Sequence, residues 1–166
     1  MREGEWLGRE DGMKNPWLML MGFLVTTFVV AGIGGATTAG SVRDWYPTLV
    51  KPSWNPPAWV FGPVWTALYA MMAVAGWLVW RRVGWGGALA WFGVQLVLNA
   101  TWSPVFFGMQ RIGLALVNII LLWGAIAGTT VAFWRVTPVA GWLFVPYLAW
   151  VSFATVLNFT IWRLNR

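Results

Sequence analysis

Three short patterns in this chain place aromatic rings and amides where they can act together. Phe61, Trp65 and Tyr69 recur at i, i+4 and i+8. Gln95, Asn99, Trp102 and Phe106 recur at i, i+4, i+7 and i+11. Tyr147, Trp150, Ala154 and Asn158 recur at i, i+3, i+7 and i+11. At helical periodicity each set falls on one face. Amides and indole N–H groups are costly against lipid tails, so such faces turn inward. The chemistry they offer is non-covalent: stacking surfaces with a few hydrogen-bonding groups, suited to a large, flat, mostly apolar ligand. A second reading stays open for Gln95, Asn99 and Asn158, which can equally serve to bond neighbouring helices. Trp150 lies mid-segment, where its N–H finds no water; a polar pocket, a ligand or an interhelical bond would each satisfy it.

Other chemistries lack their residues. The chain has no Cys and no His. That removes thiol nucleophiles, Cys-based metal sites, the commonest general base and the usual axial ligand of haem. No metal site and no required cofactor are expected. No Gly-rich phosphate loop and no intramembrane carboxylate pair occurs. The net charge of +6 is spread over single and paired basic residues, which gives no nucleic-acid footprint.

The elements that position these faces follow from composition. Of the 166 residues 59% are apolar and only 10% charged, against about 25% charged in a soluble domain. Five stretches carry no charge: 15–42, 52–80, 83–110, 112–134 and 136–162. Each exceeds the ~20 residues that a helix needs to cross a bilayer, and backbone in lipid must bond internally. The fold class expected is an all-α membrane protein, a five-transmembrane-helix bundle. Its spans lie near 16–38, 58–80, 86–107, 112–134 and 138–162. Asn15, Asn55 and Thr137 each precede a Pro and read as N-caps. Short turns after spans two, three and four predict consecutive antiparallel neighbours.

Residues 1–14 read as a flexible polar extension ahead of one membrane domain at 15–166. Span one exceeds a signal-peptide core and reads as a retained helix. The connection at 40–58 holds Trp45, Tyr46, Trp54 and Pro47, Pro52, Pro56 and Pro57, which favours an ordered lid over one bundle end. Trp17, Trp77, Trp80, Trp85, Trp134 and Trp162 read as interfacial anchors. Trp123 is assigned no role beyond packing. Pro63, Pro104 and Pro146 are candidate kinks. Ala31, Gly32, Gly34, Gly35, Ala36 and Gly40 permit close helix approach, within or between subunits. The basic residues divide six against five between the two sides, which leaves orientation open.

Trp45-Tyr46-Pro47-Thr48-Leu49-Val50-Lys51-Pro52-Ser53-Trp54-Asn55-Pro56-Pro57 resembles the W-Y-x-x-L-x-K-P-x-W-x-P-P signature of the TspO/translocator family. So do the run from Trp59 to Tyr69, the block from Gln95 to Gly108 and the block from Pro146 to Asn158. The family includes bacterial tryptophan-rich sensory proteins and the mitochondrial translocator once called the peripheral benzodiazepine receptor. The resemblance implies a homodimer of five-helix bundles, with one pocket per subunit beneath the first loop. It implies protoporphyrin and related tetrapyrroles, sterols or aromatic drugs as ligands. Tyr46, Tyr69, Asn99, Phe106 and Ala154 match the family's ligand-lining positions. Trp65 and Trp150 match those implicated in light- and oxygen-dependent breakdown of protoporphyrin. The implied function is a porphyrin receptor, sensor or carrier; the alternative is that photochemical, enzyme-like activity. One departure concerns sterols: Phe159 stands where the family's sterol motif has Tyr, so a sterol hydroxyl loses its partner. A bacterial inner or outer membrane is the expected location.

Overall fold

The structure is a computed structural model that describes residues 15–166; the polar extension predicted for 1–14 lies outside the described residues. Among the described residues there are five α-helices: α1 Pro16–Asp44, α2 Ala58–Val83, α3 Gly87–Ser103, α4 Ile112–Val136 and α5 Pro138–Leu164. A 3₁₀ turn, Tyr46–Thr48, follows α1, and a π turn, Pro104–Gly108, follows α3.

Four of these helices, α1, α2, α4 and α5, are long and apolar enough to cross a bilayer. The predicted third span differs, because α3 stops after 17 residues. Pro104 has no N–H to continue the ladder, and the chain passes into π geometry, with Met109 N–H donating to the Pro104 carbonyl at 2.8 Å. The Phe107 carbonyl is taken instead by the Ser41 hydroxyl of α1, 2.7 Å away.

The helix starts follow local chemistry. Asn15 caps α1, accepting from Trp17 N–H at 3.0 Å, and Pro16 fills the first helical position. Asn55 does not cap α2. Pro56 precedes Pro57 and is held out of the α region, so the helix opens at Ala58. Thr137 stands at the N-cap of α5 but makes no side-chain cap bond. All five helices differ from the expected bounds at one end or both. The largest change is in α1, which continues past residue 38 to Asp44, since no Pro interrupts it before Pro47. The connection is therefore shorter than 40–58 and runs from Trp45 to Pro57.

The helices close a ring in the order α1, α2, α5, α4, α3. The pairs α3 with α4 and α4 with α5 are neighbours, as their short turns predict. The pair α2 and α3 is not, although only residues 84–86 separate them. Phe23 of α1 intervenes. It packs edge-on to Phe92 of α3 at 5.8 Å and lies where a Cβ on Gly76 of α2 would sit, 2.9 Å away. The absent side chain at Gly76 admits the ring.

The half of the bundle nearest the turns at 84–86 and 137 is solid. Phe92, Phe133, Phe144 and Tyr147 interlock there, with Phe133 and Phe144 at 5.1 Å, and Met72, Phe133, Phe144 and Tyr147 are fully buried. The other half, under the connection 45–57, is hollow.

Candidate ligand cavity

The hollow half encloses a cavity of about 600 Å³, within the ~300–1,000 Å³ typical of small-molecule sites. Ten of the twelve sequence-predicted site residues line it: Tyr46, Phe61, Trp65, Tyr69, Asn99, Trp102, Phe106, Trp150, Ala154 and Asn158. The other two, Gln95 and Tyr147, are fully buried and stand behind the wall. They share a helical face with lining residues, but they lie a turn deeper, where the solid core begins.

The aromatic lining is built by mutual packing. Trp65 stacks on Tyr69 at 5.5 Å and meets Tyr147 edge-on at 6.1 Å. Trp150 meets Phe61 edge-on at 5.8 Å. Trp102 stacks on Phe106 at 5.1 Å. Adjacent rings of this kind favour offset and edge contacts and hold one another in place.

The amides are engaged between helices. Tyr69 O–H donates to Asn99 Oδ1 at 2.6 Å. Asn99 Nδ2 donates to the Tyr147 hydroxyl at 2.7 Å, and Tyr147 O–H donates to Gln95 Oε1 at 3.2 Å. Gln95 Nε2 is buried without a partner. Asn158 accepts from Trp102 Nε1–H at 3.2 Å and donates to the Ile112 carbonyl at 3.1 Å, joining α3, α4 and α5. Both readings of these amides therefore hold together for Asn99 and Asn158: they bond neighbouring helices and also line the cavity. Trp123 gains a role, donating its indole N–H to Ser152 Oγ at 2.8 Å.

The connection forms an ordered roof. The 3₁₀ turn brings Tyr46 over Phe106 and Phe107, at 6.4 and 5.8 Å. Tyr46 O–H donates to Asn55 Oδ1 at 2.8 Å, which closes the loop on itself. Burial pushes the Tyr46 phenol above its ordinary pKa, and the Asn55 bond offsets part of that rise. Lys51 Nζ donates to the carbonyls of Tyr46 and Leu49, at 2.8 and 2.7 Å, and lies 5.0 Å from the Tyr46 ring centroid. An ammonium gathering carbonyls in this way fixes a turn that has too few backbone bonds of its own.

Sequence reasoning missed two walls: α1 supplies Phe28, Ala31, Gly34, Gly35 and Thr38, and α4 supplies Ile119 and Leu122. The signal for α1 was present in the small residues, read there as sites of close helix approach. Of the glycines there, Gly34 meets a neighbouring helix within the chain, its Cβ position lying 3.4 Å from Ser103 Oγ, whereas Gly32, Gly35 and Gly40 have nothing of this chain within 4 Å; Ala31 packs against the core. Small side chains at 31, 34 and 35 leave volume to the cavity.

Comparison with known proteins identifies the family. The sequence matches the TspO/MBR family over residues 23–163. The chain belongs to the TspO/MBR family. It is 43% identical over 158 residues to the human translocator protein, covering 92% of this chain and 94% of that protein. It is 43% identical over 156 residues to the tryptophan-rich sensory protein of Cereibacter sphaeroides (92% and 95% covered). It is 45% identical over 156 residues to the tryptophan-rich protein TspO of Chlorobaculum tepidum (91% and 99% covered). As a TspO/MBR chain with long apolar helices it is an integral membrane protein, of a family named for sensing and translocation.

Proposed function

We propose that this chain is a membrane receptor or sensor that binds a porphyrin, protoporphyrin IX or a close relative, in the cavity beneath residues 45–57. The observation that carries this reading is the cavity itself. It is lined mainly by Phe61, Trp65, Tyr69, Trp102, Phe106 and Trp150, with few polar groups. Rings disposed around one space suit a broad planar π-system, whose apolar faces leave water as they enter.

The same reading takes all five helices across the bilayer. α3 and its π turn together run without a break from Gly87 to Gly108, and α3 packs between α1 and α4, so it shares their environment. The resemblance to the family supports a homodimer, and Phe159, standing where the family's sterol motif has Tyr, supports a bacterial inner or outer membrane as its location.

Titration of the purified protein in lipid nanodiscs with protoporphyrin, followed by the shift of its Soret band, tests the proposal. One saturable site per chain is expected. Ala154→Phe places a ring inside the cavity and should weaken binding at least tenfold without unfolding the protein. Equal affinity in the two proteins would remove the cavity as the porphyrin site.

A further inference from the structure

The chain Tyr69, Asn99, Tyr147, Gln95 has a direction, and the direction described above ends badly. Each link donates toward Gln95, and the last group, Gln95 Nε2, is left with its N–H bonds buried and unpaired. Orphaned buried N–H groups are rarer than under-used carbonyl oxygens, because a carbonyl loses less when a lone pair goes unpaired. A half turn of each amide exchanges its oxygen and nitrogen at nearly fixed positions. The same three contacts then run the other way. Gln95 Nε2 donates to Tyr147, Tyr147 O–H donates to Asn99 Oδ1, and Asn99 Nδ2 donates to the Tyr69 oxygen. The orphan becomes a carbonyl oxygen, and the hydroxyl proton of Tyr69 is released at the cavity wall.

We propose that Tyr69 is a hydrogen-bond donor of the cavity, recognising an acceptor oxygen on the ligand, a carbonyl or carboxyl, and that reversal of the Asn99–Tyr147–Gln95 relay frees it to do so. Tyr69 and Asn99 line the cavity, while Tyr147 and Gln95 lie outside it and are fully buried. Within this relay Tyr69 alone would touch the ligand as donor; Gln95 and Tyr147 are positioning residues. The relay costs no bond when it reverses, so the ligand's acceptor adds one hydrogen bond to a network that keeps its three. A ligand with only donors gains less, since the Tyr69 oxygen is free to accept only in the forward direction, which leaves Gln95 Nε2 buried without a partner. This inference rests on the cavity being a ligand site.

The test uses three probes of like shape in the nanodisc-embedded protein: benzophenone, an acceptor; diphenylamine, a donor; and diphenylmethane, neither. Benzophenone should bind about tenfold more tightly than diphenylmethane, and diphenylamine should not exceed benzophenone. The infrared carbonyl band of bound benzophenone should be lowered from its position in alkane. Tyr69→Phe should abolish both the preference and the band shift while leaving diphenylmethane affinity within about twofold. Gln95→Met removes the acceptor of the Tyr147 proton in the forward direction, so it favours the reversed one. Benzophenone affinity should then hold or rise. Tighter binding of diphenylamine, or a carbonyl band unaffected by Tyr69→Phe, overturns the donor assignment. A parallel loss of all three probes in Gln95→Met does so too, leaving Gln95 with a structural role only. Failure of every probe to enter the wild-type protein overturns the ligand-cavity reading and this inference with it.

Discussion

Asn165, one residue from the end of the chain, holds Val50 in the roof of the cavity through both halves of its amide. Val50 N–H donates to Asn165 Oδ1 at 2.9 Å, and Asn165 Nδ2 donates to the Val50 carbonyl at 2.9 Å. These residues are 115 positions apart in sequence, so the pair ties the roof to the end of α5. Residues 45–57 contribute few other bonds to the bundle. Each hydrogen bond contributes about 0.5–1.5 kcal/mol, and partial exposure places this pair near ~1 kcal/mol together. Asn165→Ala should therefore speed porphyrin release about fivefold in stopped-flow measurements, with little change in association. An unchanged release rate would mean that ligand exit does not require the roof to lift at Val50.

Tight packing at the opposite end gives a second expectation. A Cβ added to Gly141 would stand 2.8 Å from ring atoms of Trp134, whereas one added to Gly93 would meet nothing within 4 Å. Overpacking of this kind typically costs about 1–3 kcal/mol, while Gly to Ala in an open helix position gains up to ~1 kcal/mol. Gly141→Ala should lower the thermal midpoint in detergent, and Gly93→Ala should leave it level or raise it. The outcome is read from the two variants side by side; similar midpoints would show that Trp134 swings clear.

How much of this was legible beforehand depended on the length scale of the signal. The three aromatic and amide faces were readable because helical spacing alone puts Trp65 beside Tyr69 and Trp102 beside Phe106. Helix existence was readable from uncharged runs. Depth was not: Gln95 and Tyr147 share faces with lining residues, yet the cavity ends above them, a boundary set by the Phe92, Phe133 and Phe144 packing of three different helices. Helix order was also hidden, since it hangs on Phe23 filling the space that Gly76 leaves. Lys51 in the roof and Asn165 after α5 act through backbone carbonyls and amides, which leave no periodic trace in sequence.

The position that sets this chain apart from the family's sterol motif faces outward. Phe159 is exposed, with the Arg163 guanidinium 5.9 Å from its ring centroid and Trp162 at 6.0 Å. It does not line the cavity. Phe159→Tyr should therefore leave porphyrin affinity unchanged within about twofold, whatever it does to sterol association at the lipid-facing surface. A larger change in the Soret titration would connect that surface to the cavity.

Trp65 and Trp150 offer the last and sharpest expectation, because their indole groups are used differently from those around them. Trp77, Trp102 and Trp123 donate their N–H groups to Pro16, Asn158 and Ser152. Trp65 and Trp150 donate to no described residue, and both line the cavity. Their contribution to the fold is thus ring packing, against Tyr69 and Tyr147 for one and Phe61 and Phe153 for the other. Phe retains most of that packing, so Trp65→Phe and Trp150→Phe should destabilise the protein by about 1 kcal/mol each. Porphyrin affinity should fall by no more than about tenfold, or 1.4 kcal/mol, since an aromatic face remains. Trp102→Phe should cost more stability, because it leaves Asn158 Oδ1 without its donor. Equal destabilisation in all three variants would mean that the Trp102 and Asn158 bond contributes little. Loss of porphyrin binding in Trp65→Phe alone would mean that its free N–H, rather than its ring, holds the ligand.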